Sequence, residues 1–310
     1  DKLDSLDFQT ARLIVRANDN FDDYGALEHI SGFEDFHILQ YESPEAAEFA
    51  YQELENSNKI ESVHPDAILS NIRKSDISDS NQISTDKSTI LCDWSLDRTQ
   101  SKRLQDYLSE SNEKMEEVIV GVVDTGVDYN HEFLQGRIKR TYFNSGSDGM
   151  PNDEMDSFDT ELCHGTAVSS VIVDNTPENV KIRAYKVLNE DDSSTATVIC
   201  AGLLKAISDN VDVINMSMGF ADESGLTQST MRNAYKNDIP VVTALGNYAI
   251  LDPYDVACLE ENIVVGATDK DNITAEWNNF SPYVDIVAPG EDINVAIYGN
   301  AYDLWFGTSF

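Results

Sequence analysis

The chain has 310 residues, with 56 acidic against 21 basic side chains and a formal net charge of -35 at pH 7. Neutralising phosphates and docking on anionic membrane surfaces both need clustered Lys and Arg, so this balance argues against a nucleic-acid or membrane-surface binder. With 41% hydrophobic and 9% aromatic residues the sequence can still bury a core, in one large or two unequal domains.

The acidity is spread: residues 1–90 carry 19 acids and 7 bases, and the larger remainder is acidic too. No apolar run approaches the roughly 18 residues of a membrane span. The start, Asp1-Lys2-Leu3-Asp4, lacks the basic-then-apolar pattern of a secretory signal, and a chain beginning without Met is expected to have been trimmed. Cys92, Cys163, Cys200 and Cys258 stand at long spacings with no C-x-x-C pair, which predicts buried free thiols and neither a zinc cluster nor a disulfide scaffold.

In chain order, Ala11–Ala17 reads as a strand, Tyr24–Ile30 as a short helix and Phe36–Tyr41 as a second strand. Pro44–Leu54 reads as a helix, with Pro in its first turn and Ser43 as N-cap; a last apolar segment runs from Ile60 to Leu69. This alternation predicts a small α+β unit. Residues 70–90 are rich in Ser, Asp and Asn without sustained periodicity and read as a linker. Beyond Cys92, apolar strands are predicted at Val118–Val123, Ile182–Val187, Val211–Asn215, Pro240–Ala244 and Ile263–Ala267. Helices at Gly165–Val173, Thr197–Asn210 and Thr227–Asn237 separate them, a pattern that predicts a parallel sheet covered on both faces.

Five short motifs carry polar groups at the ends of these elements. Strand Val118–Val123 runs into Asp124-Thr125-Gly126, a carboxylate where open α/β sheets place ligands, or an ordinary turn residue. Aspartic proteases also present a D-T-G, but they need two carboxylates sharing a proton, and the chain has no second D-T-G or D-S-G. Cys163-His164-Gly165-Thr166 puts an imidazole at a helix start, as a base or as a cap. Asn215-Met216-Ser217-Met218-Gly219 ends a buried strand in small residues. Ala244-Leu245-Gly246-Asn247 offers an amide NH2 that could stabilise an oxyanion or serve a turn. Gly307-Thr308-Ser309 holds a Ser among small residues.

Taken together and in this order, D-T-G, H-G-T, N-M-S-M-G, A-L-G-N and G-T-S resemble the subtilisin-like serine proteases, the subtilases. The resemblance runs from about Trp94 to Phe310 and includes Phe280-Ser281-Pro282 and Ile286-Val287-Ala288-Pro289-Gly290. It implies Asp124 as orienting carboxylate, His164 as general base and acid, Ser309 as nucleophile and Asn247 as oxyanion-stabilising amide. Each assignment has a chemical reason. A neutral hydroxyl needs a nearby imidazole to accept its proton, and that imidazole needs a carboxylate to fix its tautomer. The resemblance further implies a substrate-binding strand at Ser217, Met218 and Gly219, with Tyr254 and Asp255 near the pocket for the residue before the scissile bond. Asp222 and Asp255 there raise an expectation of preference for Lys or Arg.

The N-terminal segment, above all Ile60-Glu61-Ser62-Val63-His64-Pro65-Asp66, is similar to the inhibitory prodomain preceding many subtilases; a separate interaction module is the alternative. The expected organisation is a ferredoxin-like α+β prodomain over 1–75, a linker with the processing region over 76–91, and a subtilisin-like α/β catalytic domain over 92–310. The mature chain would start near Trp94-Ser95-Leu96-Asp97.

The pattern also departs from the family. Many subtilases carry H-P-D-L after the catalytic Asp, the second Asp binding calcium; here the run is His131-Glu132-Phe133-Leu134. Little room is left after His164 for the usual calcium loop, so that site is expected to be absent, although other carboxylates could bind calcium. No other cofactor is expected. Ala167, Ser169 and Ser170 keep the helix lining small, and Cys163 is expected to pack as a thiol under the loop. Only Phe310 follows Ser309, where the family begins a long helix, so the expectation is a fragment of a longer or nicked protein. The function expected is a self-processing serine endopeptidase, secreted or at the cell surface, acting on proteins or peptides with its own prodomain as inhibitor. A catalytically silent, prodomain-bound relative acting by binding is the alternative.

Overall fold

The computed structural model describes residues 6–18, 21–70, 84–85, 94–110, 115–144, 163–189, 191–251 and 255–310. The N-terminal unit begins with β1 (Arg12–Ala17), β2 (Glu28–Phe33) and β3 (Phe36–Gln40), continues through α1 (Pro44–Glu55) and closes with β4 (Ile60–Pro65). Its antiparallel sheet has the order β2-β3-β1-β4. The hydroxyl of Ser43 accepts the Ala46 N–H at 3.2 Å, Pro44 occupies the first turn, and Ala47, Ala50, Tyr51 and Leu54 form the buried stripe. That stripe packs on Leu13, Val15, Leu39 and Val63, one face of the sheet.

One predicted element is corrected here. Residues 24–30 do not form a helix: Tyr24 and Gly25 take φ of 50° and 83°, and the chain runs on as β2. Two successive left-handed residues cannot continue a right-handed helix, and Glu28–Ser31 instead ladder onto β3. The described residues of this unit therefore run β-β-β-α-β, not in the ferredoxin-like β-α-β-β-α-β order.

Short β5 (Leu69–Ser70) leaves this unit. Of the predicted linker over 76–91, Ser84 is bridged to Tyr302 through two main-chain bonds, while Cys92 lies outside the described residues. The second unit contains α2 (Trp94–Thr99), α3 (Ser101–Glu110), β6 (Val118–Asp124), α4 (His164–Asn175), β7 (Val180–Lys186), β8 (Ser193–Ser194) and α5 (Ala196–Ser208). It continues through β9 (Val213–Met216), α6 (Leu226–Lys236), β10 (Val241–Ala244), β11 (Ile263–Thr268), β12 (Ile286–Pro289), and a hairpin of β13 (Ile293–Ile297) and β14 (Ala301–Trp305).

Six of these strands form a parallel sheet in the order β12-β11-β10-β9-β6-β7. Helices cover both faces, which is why the central strands are nearly continuously apolar. On one face Val123, Tyr185 and Ile214 pack with Ile199 and Leu203 of α5 and Met231 and Ala234 of α6. On the other, Val122, Ile182 and Ala184 pack with Val168 and Val173 of α4. Strand β6 lies where the order reverses, since β7 follows on one side and β9 on the other. A crevice opens at the carboxyl ends of the strands at such a point.

The two units are in contact. The second face of the N-terminal sheet lays Ile14, Phe36 and Ile38 against Ala196 and Cys200 of α5 and Leu226 of α6. Lys236 pairs with Glu34 at 2.7 Å, and β5 ladders antiparallel onto β8. Asp66 accepts the Thr197 N–H at 3.2 Å, in the first turn of α5. Arg12 Nε stands 3.3 Å from Asp66 Oδ2 but off the hydrogen-bond direction, so this is a charge contact rather than an aligned bond.

Candidate active site

Asp124 is the last residue of β6, fully buried, and Thr125 N–H donates to its Oδ1 at 2.7 Å. His164 opens α4, equally buried, with Nδ1 2.9 Å from each Asp124 oxygen. A carboxylate only accepts, so Nδ1 carries the proton and Nε2 is left with the lone pair a base requires.

The two motifs also lock through their other residues. Gly165 N–H donates to Thr125 Oγ1 at 2.9 Å and Asp128 N–H to Thr166 Oγ1 at 2.8 Å. A Cβ at Gly165 would meet the Gly126 carbonyl oxygen at 2.1 Å, so the loop after β6 and the helix start can approach this closely only with glycine between them.

Ser309 and Ser217 are hydrogen-bonded to each other, and Asn247 to Thr308, the residue before Ser309. Ser217 Oγ donates to the Ser309 carbonyl at 3.0 Å, and Ser309 Oγ donates to the Ser217 carbonyl at 3.4 Å. Asn247 Oδ1 accepts both the N–H and the hydroxyl of Thr308, at 2.9 and 2.8 Å. Two donors on the carbonyl end settle which way the amide is turned, so its NH2 is the end directed elsewhere. Thr308 Oγ1 in turn accepts the Gly246 N–H at 2.9 Å. Phe310 joins the two groups, its ring 5.5 Å from that of His164 and 5.8 Å from that of Trp305.

Not every residue named from the sequence joins this cluster through its side chain. Met218 is drawn into the core beneath α5 and α6; Gly219 follows, half-buried. Tyr254 and the side chain of Asp255 lie outside the described residues. Asp222 is buried, and its oxygens serve the chain itself: Oδ1 accepts the Ser224 N–H at 3.0 Å and Oδ2 the Thr227 N–H at 2.9 Å, so it caps α6. Cys163 is buried and its Sγ accepts the Tyr298 N–H at 3.4 Å; Cys200 is also buried, and Cys258 half-buried.

The turn at Glu132–Leu134 does not fit a calcium ion. Phe133 offers no side-chain oxygen and packs its ring on Tyr302 at 6.3 Å, while His131 is engaged by the Phe133 N–H and the Ala301 carbonyl. Among the described residues no group of three or more His, Cys, Asp or Glu could hold a metal ion.

Sequence reasoning did not foresee Thr308 as the residue that turns Asn247, Asn278 and Asn279 beneath the Asn247 loop, or Asp66 on the first turn of α5. The doubled Asn in Trp277-Asn278-Asn279-Phe280, apolar on both flanks, was the available signal for two of them.

The parallel α/β sheet thus presents a buried Asp–His pair at the strand where its order reverses. The chain belongs to the subtilase family, whose model matches residues 115–310. It is 32% identical over 199 residues to a thermophilic serine proteinase of Bacillus sp. (strain AK1), covering 61% of this chain and 48% of that protein. It is 33% identical over 207 residues to an intracellular serine protease of Paenibacillus polymyxa, covering 62% of each. The chain thus spans about half to three-fifths of the length of these two relatives. Among solved structures it is similar to a cold adapted subtilisin-like serine proteinase, with TM-score 0.55 and 27% identity over 64% of this chain and 72% of that one.

Proposed function

We propose that this chain is a serine endopeptidase, hydrolysing peptide bonds of proteins or peptides through an acyl-enzyme, and that it is made as a self-processing zymogen. The observation that carries the reading is His164 Nδ1 held 2.9 Å from both oxygens of buried Asp124. Ser309 Oγ passes its proton to His164 Nε2 as it attacks the scissile carbonyl, and Asp124 stabilises the imidazolium that forms. The NH2 of Asn247 and the N–H of Ser309 receive the charge developing on the carbonyl oxygen. His164 then protonates the leaving amine and next draws a proton from the water that releases the acyl group. The resting bond from Ser309 to the Ser217 carbonyl is long, 3.4 Å, and costs little to exchange for one to the imidazole.

In this reading residues 1–75 are the inhibitory prodomain, 76–91 the linker that is cut, and 92–310 the catalytic domain. The ladder of β5 on β8 supports it, because an extended peptide laid on a strand edge is how main-chain bonds hold a substrate or product segment. Nucleic acid is not a partner, the acidic surface being repelled by phosphates. Among the described residues no helix is long and apolar enough to cross a membrane. On the likeness to the subtilases we place the enzyme outside the cell or at its surface.

A fluorophosphonate probe tests the reading. The intact chain should take the label on Ser309 and release a fragment cut between residues 76 and 91, and Ser309→Ala should do neither. Absence of both in the complete, unsubstituted protein would overturn the peptidase reading in favour of a relative acting by binding.

A further inference from the structure

Resting on the peptidase reading above, we infer that Asn279 is a positioning residue for the oxyanion donor Asn247. Asn279 follows β11 and is only 1% exposed. Its amide makes three bonds to one short loop: Oδ1 accepts the Tyr248 N–H at 2.8 Å and the Ile250 N–H at 3.3 Å, and Nδ2 donates to the Leu245 carbonyl at 3.2 Å. The Asn279 main-chain N–H adds a bond to the Gly246 carbonyl at 2.9 Å. These bonds fall on both sides of Asn247, so a residue far along the chain holds its main chain from before and behind.

The contact is tight as well as polar. Gly246 has φ of +104°, and a Cβ there would lie 2.3 Å from Asn279 Nδ2, so the loop lies directly on the amide. Asn279 is itself anchored to the sheet through its neighbour: Asn278 Oδ1 accepts the Ala267 N–H of β11 at 3.0 Å, and its Nδ2 donates to the Asn279 carbonyl at 3.0 Å. Rigidity thus passes from β11 through Asn278 and Asn279 to the loop. Thr308 turns the Asn247 amide from the other side, whereas Asn279 sets where its Cα sits.

An oxyanion donor acts on charge that exists only in the transition state, so a loosened loop lowers kcat and leaves KM nearly alone. Misplacement of a catalytic group by about 1 Å costs on the order of 10²-fold. Asn279→Ala should lower kcat by roughly 10- to 100-fold with KM within about twofold.

The test is a double-mutant cycle in the full chain with Asn279→Ala, Asn247→Ala and the pair, measured as kcat and KM on a peptide substrate. Amide hydrogen exchange of Tyr248 and Ile250 is measured alongside, in a Ser309→Ala background. Once Asn247 is gone, Asn279→Ala should cost less than about threefold more in kcat, and both amides should exchange at least about tenfold faster while β9, β10 and β11 stay protected. Full additivity in the cycle, a rise in KM matching the fall in kcat, or unchanged exchange would overturn the inference. Asn279→Ser, which is too short to hold both N–H groups but keeps a polar group in the buried site, serves in the same assays if Asn279→Ala fails to fold. A chain that takes no Ser309-dependent label sinks the peptidase reading instead, and the exchange measurement then decides by itself whether Asn279 holds the loop.

Discussion

Replacing Asp124 by Asn changes one atom and should remove most of the activity. Both carboxylate oxygens lie 2.9 Å from His164 Nδ1, so whichever way the new amide turns, an NH2 group faces that nitrogen. To keep the proton on Nδ1, an N–H must then point at an N–H in a buried site, at a cost of about 1–3 kcal/mol, and the charge-assisted bond worth about 1.5–3 kcal/mol is lost. The proton moves to Nε2 instead, and the base is gone. Together these amount to about 2.5–6 kcal/mol, or roughly 10²- to 10⁴-fold in kcat/KM at about 1.4 kcal/mol per decade. The assay is steady-state hydrolysis of a chromogenic peptide, or the rate of fluorophosphonate labelling, with circular dichroism confirming the fold. Activity of Asp124→Asn within about fivefold of the parent would refute the tautomer argument.

Other outcomes follow from the same contacts. Gly165→Ala forces a methyl to 2.1 Å from the Gly126 carbonyl, and should cost about 1–3 kcal/mol or more; a melting temperature unchanged to within a degree would refute the close approach. Burial pushes the Asp66 carboxyl above the usual aspartate range, against the pull of Arg12 and the Thr197 bonds. A raised folded-state value means that its contribution is fully present below about pH 4 and lost as pH rises through that raised value. Asp66→Asn should therefore gain stability relative to its parent as pH goes from 4 to 7, both compared in a Ser309→Ala background; a pH-independent difference in melting temperature would contradict this. Burial pushes the Cys200 thiol up to about 12, so in the native chain it should resist iodoacetamide at pH 8 and react at once in denaturant. Native labelling within about tenfold of the denatured rate would show that the thiol is not covered.

Much of the architecture of the second unit was legible because a parallel sheet covered on both faces demands apolar strands, and those runs stand out. The predicted strand at Val118–Val123 and helix at Thr197–Asn210 match β6 and α5 to within one or two residues at most ends. The two-stranded hairpin β13–β14 and helices α2 and α3 had weaker patterns and were not foreseen. Residues 24–30 failed for a local reason: a Tyr in a left-handed conformation carries no composition signal, and pairing with β3 overrides what helical spacing suggests.

By itself the sequence determined which chemical groups were available and in what order: a carboxylate after β6, an imidazole before α4, an amide past β10 and a hydroxyl in Gly307-Thr308-Ser309. These identities are local, and short motifs carry them. Only the tertiary structure decided which polar groups are spent on holding the fold. Asp222, seen in the sequence as a charge available to substrate, is consumed as the cap of α6; Met218 is drawn into the core; Asn279 binds a loop that lies 29 to 34 residues away in the chain. A hydrogen bond depends on distance and direction in space, and no spacing along a chain encodes either once the partners belong to different elements.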